Sequence, residues 1–348
     1  MNDHGYYRPP EILTQRAYFL GAGFSHCITG GHLPLMAGFL RDMKSERYKK
    51  LSQCLCSLGR SPETANIEAV LAELEEREDL PVSARTAERI GCSLDFNAVR
   101  SEFFDYCIER LDWSGKIDAA WALRLLLLRG IGPQTSFITT NYDVVAERIL
   151  SNVAMHHHGV PGSSCPHCRM RALLTDDCAC TPEGKPLPST WRGALLKLHG
   201  SISWQVCRSE KCSIRDCLQP DRHCRPLKDR RCTCCPGNAE PVLVPPSSRK
   251  KYNQLRELRR MWDGAADVLS ETREVVFFGY SLPTSDGPIQ QLVSGAWKQN
   301  QRLEHVWIVD ACPDPVCDRV RALLGGRNVE VTPMKVPLDF SQPPWWIA

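Results

Sequence analysis

His199 in "LLKLHGS" and Asn141 in "FITTNYD" each follow a short apolar run directly. An imidazole titrates near neutrality and so takes or returns a proton at cellular pH, while a primary amide holds a hydroxyl or a water by donating and accepting hydrogen bonds. The pair suits a step in which a bound water or hydroxyl is held in place while it loses a proton. Asp143, two residues beyond Asn141, adds a carboxylate that would grip an amide or orient Asn141. A further signature is "GAGFS" at 21–25. Gly21 and Gly23, with Ala22 between them, let backbone amides approach a phosphate, and Ser25 adds a hydroxyl. Position 26 is His26, so the full Gly-x-Gly-x-x-Gly spacing is absent, and the turn by itself fits a glycine corner between packed elements equally well.

Cysteine is the other chemistry-bearing residue. Of eighteen cysteines, eleven fall between Cys165 and Cys235. No basic-then-apolar export signal opens the chain, and clustered cysteines in that setting point to metal rather than disulfides. Cys207-x4-Cys212 and, twenty residues on, Cys232-x2-Cys235 form two knuckles able to offer four thiolates to a tetrahedral zinc ion. Cys234 competes for a place in that set. Cys165 and Cys168 with Cys178 and Cys180 make a second candidate four-sulfur site, with Cys217, His223 and Cys224 to spare. Such closed sites are structural, adding metal-binding energy to a segment poor in apolar residues. The run His156-His157-His158 is read as a loop, because consecutive side chains do not easily face one ion.

These residues need elements to position them. Short apolar runs at 17–20, 136–139, 195–198, 275–278 and 306–309 each end at a turn or polar cluster, as strands buried on both faces of a parallel sheet do. Residues 66–79 and 255–272 carry the 3.6-residue apolar rhythm, and alternation of such helices with strands predicts an α/β Rossmann-like open parallel sheet. Two insertions interrupt it. A helical one spans about 30–130, within a first half-domain of 1–154; a cysteine-rich zinc-binding one spans 155–245 and carries the Leu-His-Gly motif. The second half and tail follow at 246–348. In an open parallel sheet, ligands sit beyond the carboxyl ends of the strands, so "FITTNYD", "LLKLHGS", "VVFFGYSL" and "VWIVDA" would converge with "GAGFS" on one site.

Composition excludes several classes. A chain of 348 residues, 43% hydrophobic, suffices for one large core or two smaller ones, and a formal charge of +3 argues against a global nucleic-acid field. The basic stretch "RKKYNQLRELRR" (249–260) reads first as a solvated helix face, so nucleic acid is expected only indirectly. Apolar stretches such as "AAWALRLLLL" (119–128) are too short to span a bilayer, so no membrane partner and a cytoplasmic location are expected. The tail "SQPPWWIA" (341–348) is expected to dock back on the chain.

In order along the chain, Gly21-Ala22-Gly23-Phe24-Ser25, Thr140-Asn141-Tyr142-Asp143, Leu198-His199-Gly200-Ser201 and Gly279-Tyr280-Ser281 resemble the sirtuin superfamily. They are closer still to its bacterial sirtuin-like branch, whose members cleave NAD and often serve anti-phage defence. "EPVLVPPSSRK" (240–250) and "GYSLPTSD" (279–286) match that branch as well. Protein-deacylating sirtuins carry Asp-Phe-Arg after the first glycines, where this chain reads "GGHLPLMAGFLRD" (30–42), and Gln-Asn-Ile-Asp where it reads Thr140-Asn141-Tyr142-Asp143. Both departures favour NAD hydrolysis. The resemblance also implies a cysteine zinc module after the His-Gly motif.

NAD then assigns the roles. Gly21, Ala22, Gly23 and Ser25 bind the pyrophosphate; Asn141 fixes the ribose and a water; His199 is the base; Asp143 holds the nicotinamide amide or orients Asn141. Gly279 permits close approach, Ser281 bonds phosphate or ribose, and Asp310 accepts from the adenosine ribose or caps a helix. Three functions follow: an NAD glycohydrolase, an NAD-dependent deacylase, or a module that binds NAD, ADP-ribose or nucleic acid without turnover. A free NAD hydrolase would drain the cell, so a homo-oligomer or a regulatory partner protein is expected to control it.

Overall fold

The computed structural model describes residues 15–36, 38–65, 70, 96–113, 115, 135–149, 194–213, 218–220, 226–227, 231–232, 234–244, 255–284 and 286–335. Its elements in chain order are β1 (Arg16–Leu20), α1 (Ala22–Ile28), α2 (Lys49–Ser57), α3 (Phe96–Leu111), β2 (Thr135–Thr139), β3 (Leu195–Lys197), β4 (Gly200–Cys207), β5 (Leu218–Pro220), β6 (Ala239–Leu243), α4 (Arg256–Glu271), β7 (Glu274–Phe278), α5 (Gly287–Gln299), β8 (His305–Asp310), α6 (Asp314–Leu324) and β9 (Glu330–Lys335).

Runs of aromatic and β-branched residues build the central sheet, whose six strands lie in the order β3-β2-β1-β7-β8-β9. Every pairing in it is parallel. β1 shows why its sequence lacks polar alternation: Tyr18 stacks on Phe137 and Phe19 on Phe277, each pair with centroids 5.4 Å apart, so neighbouring side chains are covered on opposite faces. The chain builds outward from β1 through β2 to β3, then returns to β7 and builds the other way. That reversal opens a crevice at the carboxyl ends of β1 and β7, where an α/β sheet binds its ligand.

The α/β parallel architecture expected from the five apolar runs is present, and α4 matches the expected helix at 255–272. Its Leu258, Met261, Ala265, Val268 and Leu269 are buried at helical spacing while Arg259, Asp263 and Asp267 face solvent. Within 30–130 the described helices are α2 and α3, packed on each other. Tyr106 of α3 donates its hydroxyl to the Phe39 carbonyl at 2.7 Å.

Two features depart from the reading of the sequence. The sixth strand, β9, contains Pro333 and charged Glu330 and Lys335, a composition that suits only an edge, where a missing N–H is tolerated. The segment 155–245, expected to be a loop-rich insertion held by metal, contains among its described residues a second, antiparallel sheet in the order β5-β4-β6. β4, "GSISWQVC", alternates small polar with apolar residues and is buried along its length. β3 falls in the same segment yet pairs with β2 in the large sheet. The expected helix at 66–79 lies outside the described residues save Val70, as do 119–128, His156–His158, the first half of 249–260 and the tail 341–348.

Candidate active site

Backbone hydrogen bonds lace the strand ends together. Gly21 N donates to Phe278 O (3.0 Å), Gly23 N to Gly279 O (2.9 Å) and Gly279 N to Val309 O (2.8 Å), so the turns after β1 and β7 and the end of β8 form one surface. Only glycine fits at this seam. A Cβ on Gly21 would lie 2.4 Å from Gly279 O; Gly279 has φ +60° and its Cβ would lie 2.2 Å from Phe24 N. The resulting cleft, about 390 Å³, is lined by Ala22, Gly23, Ser25, Asn141, Asp143 and His199, and on its other half by Gly279, Ser281 and Asp310. The volume lies in the ordinary range for small-molecule sites. Leu33, Pro34, Met36, Phe39 and Leu111 supply an apolar wall that sequence reading did not name.

Asn141 is held from across the sheet. Its Nδ2 donates to Gly21 O (2.8 Å) and Ser25 Oγ (2.9 Å), using both amide protons and leaving Oδ1 as the atom to meet a ligand. Thr139 prepares this: its hydroxyl donates to Leu20 O and accepts from Asn141 N. The glycine turn and the asparagine, expected to act separately on a ligand, are therefore one hydrogen-bonded unit. Asp143 lines the cleft while its Oδ1 accepts from Val145 N at 3.0 Å, capping helical residues 145–149. The bonds that orient Asn141 come from Gly21 and Ser25.

His199 follows β3, is 3% exposed and lines the same cleft. Its carbonyl accepts from Val244 N, and the preceding carbonyl, of Leu198, accepts from Trp262 Nε1 at 3.0 Å. Its Nε2 lies 3.9 Å from Asp286 Oδ1, and Asp286 Oδ2 accepts from the Tyr280 hydroxyl at 2.8 Å. Asp286 and Tyr280 are buried and line the cleft. Both stand within "GYSLPTSD", yet nothing local marks them as partners of a histidine in another strand.

Beneath the site, Lys197 and Glu147 are wholly buried and paired at 2.7 Å. Lys197 Nζ also donates to the Asp143 carbonyl, and Ser201 Oγ to Glu147 Oε1 at 3.3 Å. This bridge ties the segment bearing Asn141 to the strand bearing His199. Its signal was a lysine inside an apolar run, since a buried ammonium must find a carboxylate. Cys27, also at the cleft, is no nucleophile: burial pushes its thiol well above the ordinary range. In the other half, Ser281 is exposed and its carbonyl accepts from Arg319 Nε, while Asp310 Oδ1 accepts from Cys312 N at 2.9 Å.

Cys207, Cys212, Cys232 and Cys235 converge, all four sulfurs within 4.8 Å of one another. A tetrahedral ion with Zn–S bonds of about 2.3 Å has sulfur–sulfur edges of about 3.8 Å. Cys207 and Cys235 stand 3.7 Å apart, Cys212 and Cys232 3.5 Å, so the residues fit a metal ion. Cys234 is exposed and lies outside this set. Its backbone N–H donates to Cys232 Sγ and helps hold that thiol down at about 6. Cys165, Cys168, Cys178 and Cys180, with Cys217, His223 and Cys224, lie outside the described residues. Among the described residues, no helix is long and apolar enough to cross a membrane.

No curated protein matches the chain. A family model described as "SIR2-like domain" matches residues 135–332, which take in Asn141, Asp143, His199, the four converging cysteines, Gly279, Asp286 and Asp310. The match begins at β2, so the Gly21–Ser25 turn joins the site through the hydrogen bonds described above. More than half of the chain is covered, and the protein belongs to the SIR2-like family.

Proposed function

We propose that the protein is an NAD glycohydrolase, converting NAD and water to nicotinamide, ADP-ribose and a proton. The observation that carries this reading is the meeting of Asn141, tied to Gly21 and Ser25, with buried His199 in one cleft at the sheet's reversal point. Family membership supports NAD as the ligand, since SIR2-like proteins are generally enzymes that use it.

The leaving nicotinamide carries positive charge on its ring nitrogen, so the bond to the ribose carbon breaks with its electron pair going to that nitrogen, and no general acid is needed. The ribose gains oxocarbenium character as it does in glycoside hydrolysis. Asn141 Oδ1 orients the ribose and the attacking water. The water oxygen bonds to the ribose carbon as its proton passes to His199. With the Gly21 and Gly23 amides bonded to Phe278 O and Gly279 O, the Ala22 amide and the Ser25 hydroxyl receive the pyrophosphate, Asp143 the carboxamide, Ser281 and Asp310 the adenosine half. The apolar wall from Leu33 to Phe39 limits the room for bulk water. A zinc ion held by Cys207, Cys212, Cys232 and Cys235 would be structural, because four protein sulfurs leave no open position.

Absence of an Asp-Phe-Arg element after the glycines sets the hydrolase above a deacylase. The test is incubation of zinc-loaded protein with NAD, following nicotinamide and ADP-ribose by chromatography beside His199→Ala and Asn141→Ala. Equimolar products lost in both variants are expected; nicotinamide release that requires an acyl-lysine peptide would reassign the chain as a deacylase. We also infer control by self-association or a partner protein, consistent with a defence effector. Rapid turnover by a dilute monomer would remove that inference.

A further inference from the structure

We propose that Asp286 is a positioning residue for His199: its buried carboxylate faces Nε2 and stabilises the imidazolium formed when His199 takes a proton. The geometry has three parts. Asp286 is 2% exposed, with Oδ1 3.9 Å from His199 Nε2. Tyr280 fixes the carboxylate's direction by donating to Oδ2 at 2.8 Å. All three residues line one cleft although His199 follows β3, Tyr280 follows β7 and Asp286 precedes α5.

Asp286 sits at the first position before α5, yet its side chain makes no capping hydrogen bond to that helix. Burial of an anion is unfavourable unless a cation or donors compensate; Tyr280 is one donor, and His199 is a nearby group able to become a cation. Among the described residues, other titratable groups near the imidazole have partners of their own. Lys197 on the preceding strand is paired with Glu147; Asp143 caps residues 145–149; Tyr142 lies with its ring centroid 6.3 Å from the imidazole and donates its hydroxyl to Val244 O. Proton transfer to His199 creates a charge on a buried ring, and a fixed carboxylate lowers the cost of creating it.

The inference rests on the hydrolase reading only where activity is measured, so the closing experiment has an arm that needs no substrate. His199 is titrated by heteronuclear NMR, assigned with His199→Gln, in the unsubstituted chain, Asp286→Asn and Tyr280→Phe. Loss of the carboxylate charge in Asp286→Asn is expected to lower the His199 midpoint by about one pH unit. Tyr280→Phe removes one donor to the anion and is expected to raise the midpoint by roughly half as much. Opposite shifts are the signature of a charge acting on the ring. If Asp286→Asn does not fold, the upward shift in Tyr280→Phe carries the test. In the activity arm, Asp286→Asn is expected to lower kcat for nicotinamide release by about ten- to a hundredfold with KM little changed, and to move the acid limb of the profile downward with the NMR midpoint. An unchanged midpoint in a folded Asp286→Asn, or shifts of the same sign in both variants, overturns the proposal. Shifts as expected in a protein that releases no nicotinamide would sustain it and count against the hydrolase reading.

Discussion

Around β1, the strand-end residues rest on a continuous core in which Ala17, Phe19, Leu20, Phe137, Ile138, Val275 and Phe277 are covered almost completely. Around Cys207, the local cluster consists of Cys207, Cys212, Cys232 and Ala239, with Cys235 at its edge. The first region buries enough apolar surface to hold its geometry with no ligand; the second offers sulfur where the first offers hydrocarbon. Asn141 and His199 belong to the first region, so their placement is expected to survive loss of the metal for longer than the tip of the small sheet does.

Metal removal is the largest way to test that contrast. Chelation, or Cys212→Ser, is expected to speed amide exchange about a hundredfold or more at Cys207, Cys232 and Ala239 while β1 and β7 change little. A uniform change across both sheets would break the comparison. Acid provides the same test. The Cys232 thiol is depressed in the fold, so its contribution is complete above the ordinary thiol range and is lost as pH falls through about 6. Zinc release, followed with a chelating dye, should rise as pH falls, because protons compete with the metal for the thiolates.

Lys197→Met probes the other support of the site. It strands the Glu147 carboxylate in the core and is expected to cost about 3–5 kcal/mol in denaturant unfolding. Adding Glu147→Leu should return most of the loss, because the penalty comes from the unpaired charge; no recovery would show that the ion pair itself orders the fold. Gly21→Ala inserts a methyl group against Gly279 O and should cost about 1–3 kcal/mol together with most of the affinity for NAD, measured by calorimetry. The smallest effect is expected from Trp262→Phe. Loss of the donor to the Leu198 carbonyl is worth about 1 kcal/mol, and nicotinamide release should fall several-fold through a looser His199. Full activity in that variant would separate the histidine from the α4 support.

Legibility of the sequence followed the range of the forces involved. Strands β1, β2, β3, β7 and β8 were readable because two-sided burial demands an apolar run, and α4 because its stripe repeats at 3.6 residues. β9 was not, since an edge strand needs no such run and Pro333 argues against one. β4 carried a period-2 alternation, Ile202, Trp204 and Val206 against Ser201, Ser203 and Gln205, but cysteines and prolines around it drew the reading toward loop. At the site, Asn141, His199, the glycines and the four converging cysteines stood out by residue type. Asp286, Tyr280, Glu147 and Trp262 did not, because an ordinary acid or aromatic acquires its role only from what it faces.

The sequence by itself determined the parallel α/β core, the order of the chemical motifs and the sulfur donors. Apolar runs, glycine turns and thiolates act through residue type and short spacing. Only the tertiary structure decided which residues meet: Asn141 with Gly21, 120 positions apart, Lys197 with Glu147, 50 apart, and His199 with Asp286. Those contacts depend on crossovers that bring strand ends to one edge of the sheet, and on burial that gives each unpaired charge or amide a high cost until its partner arrives.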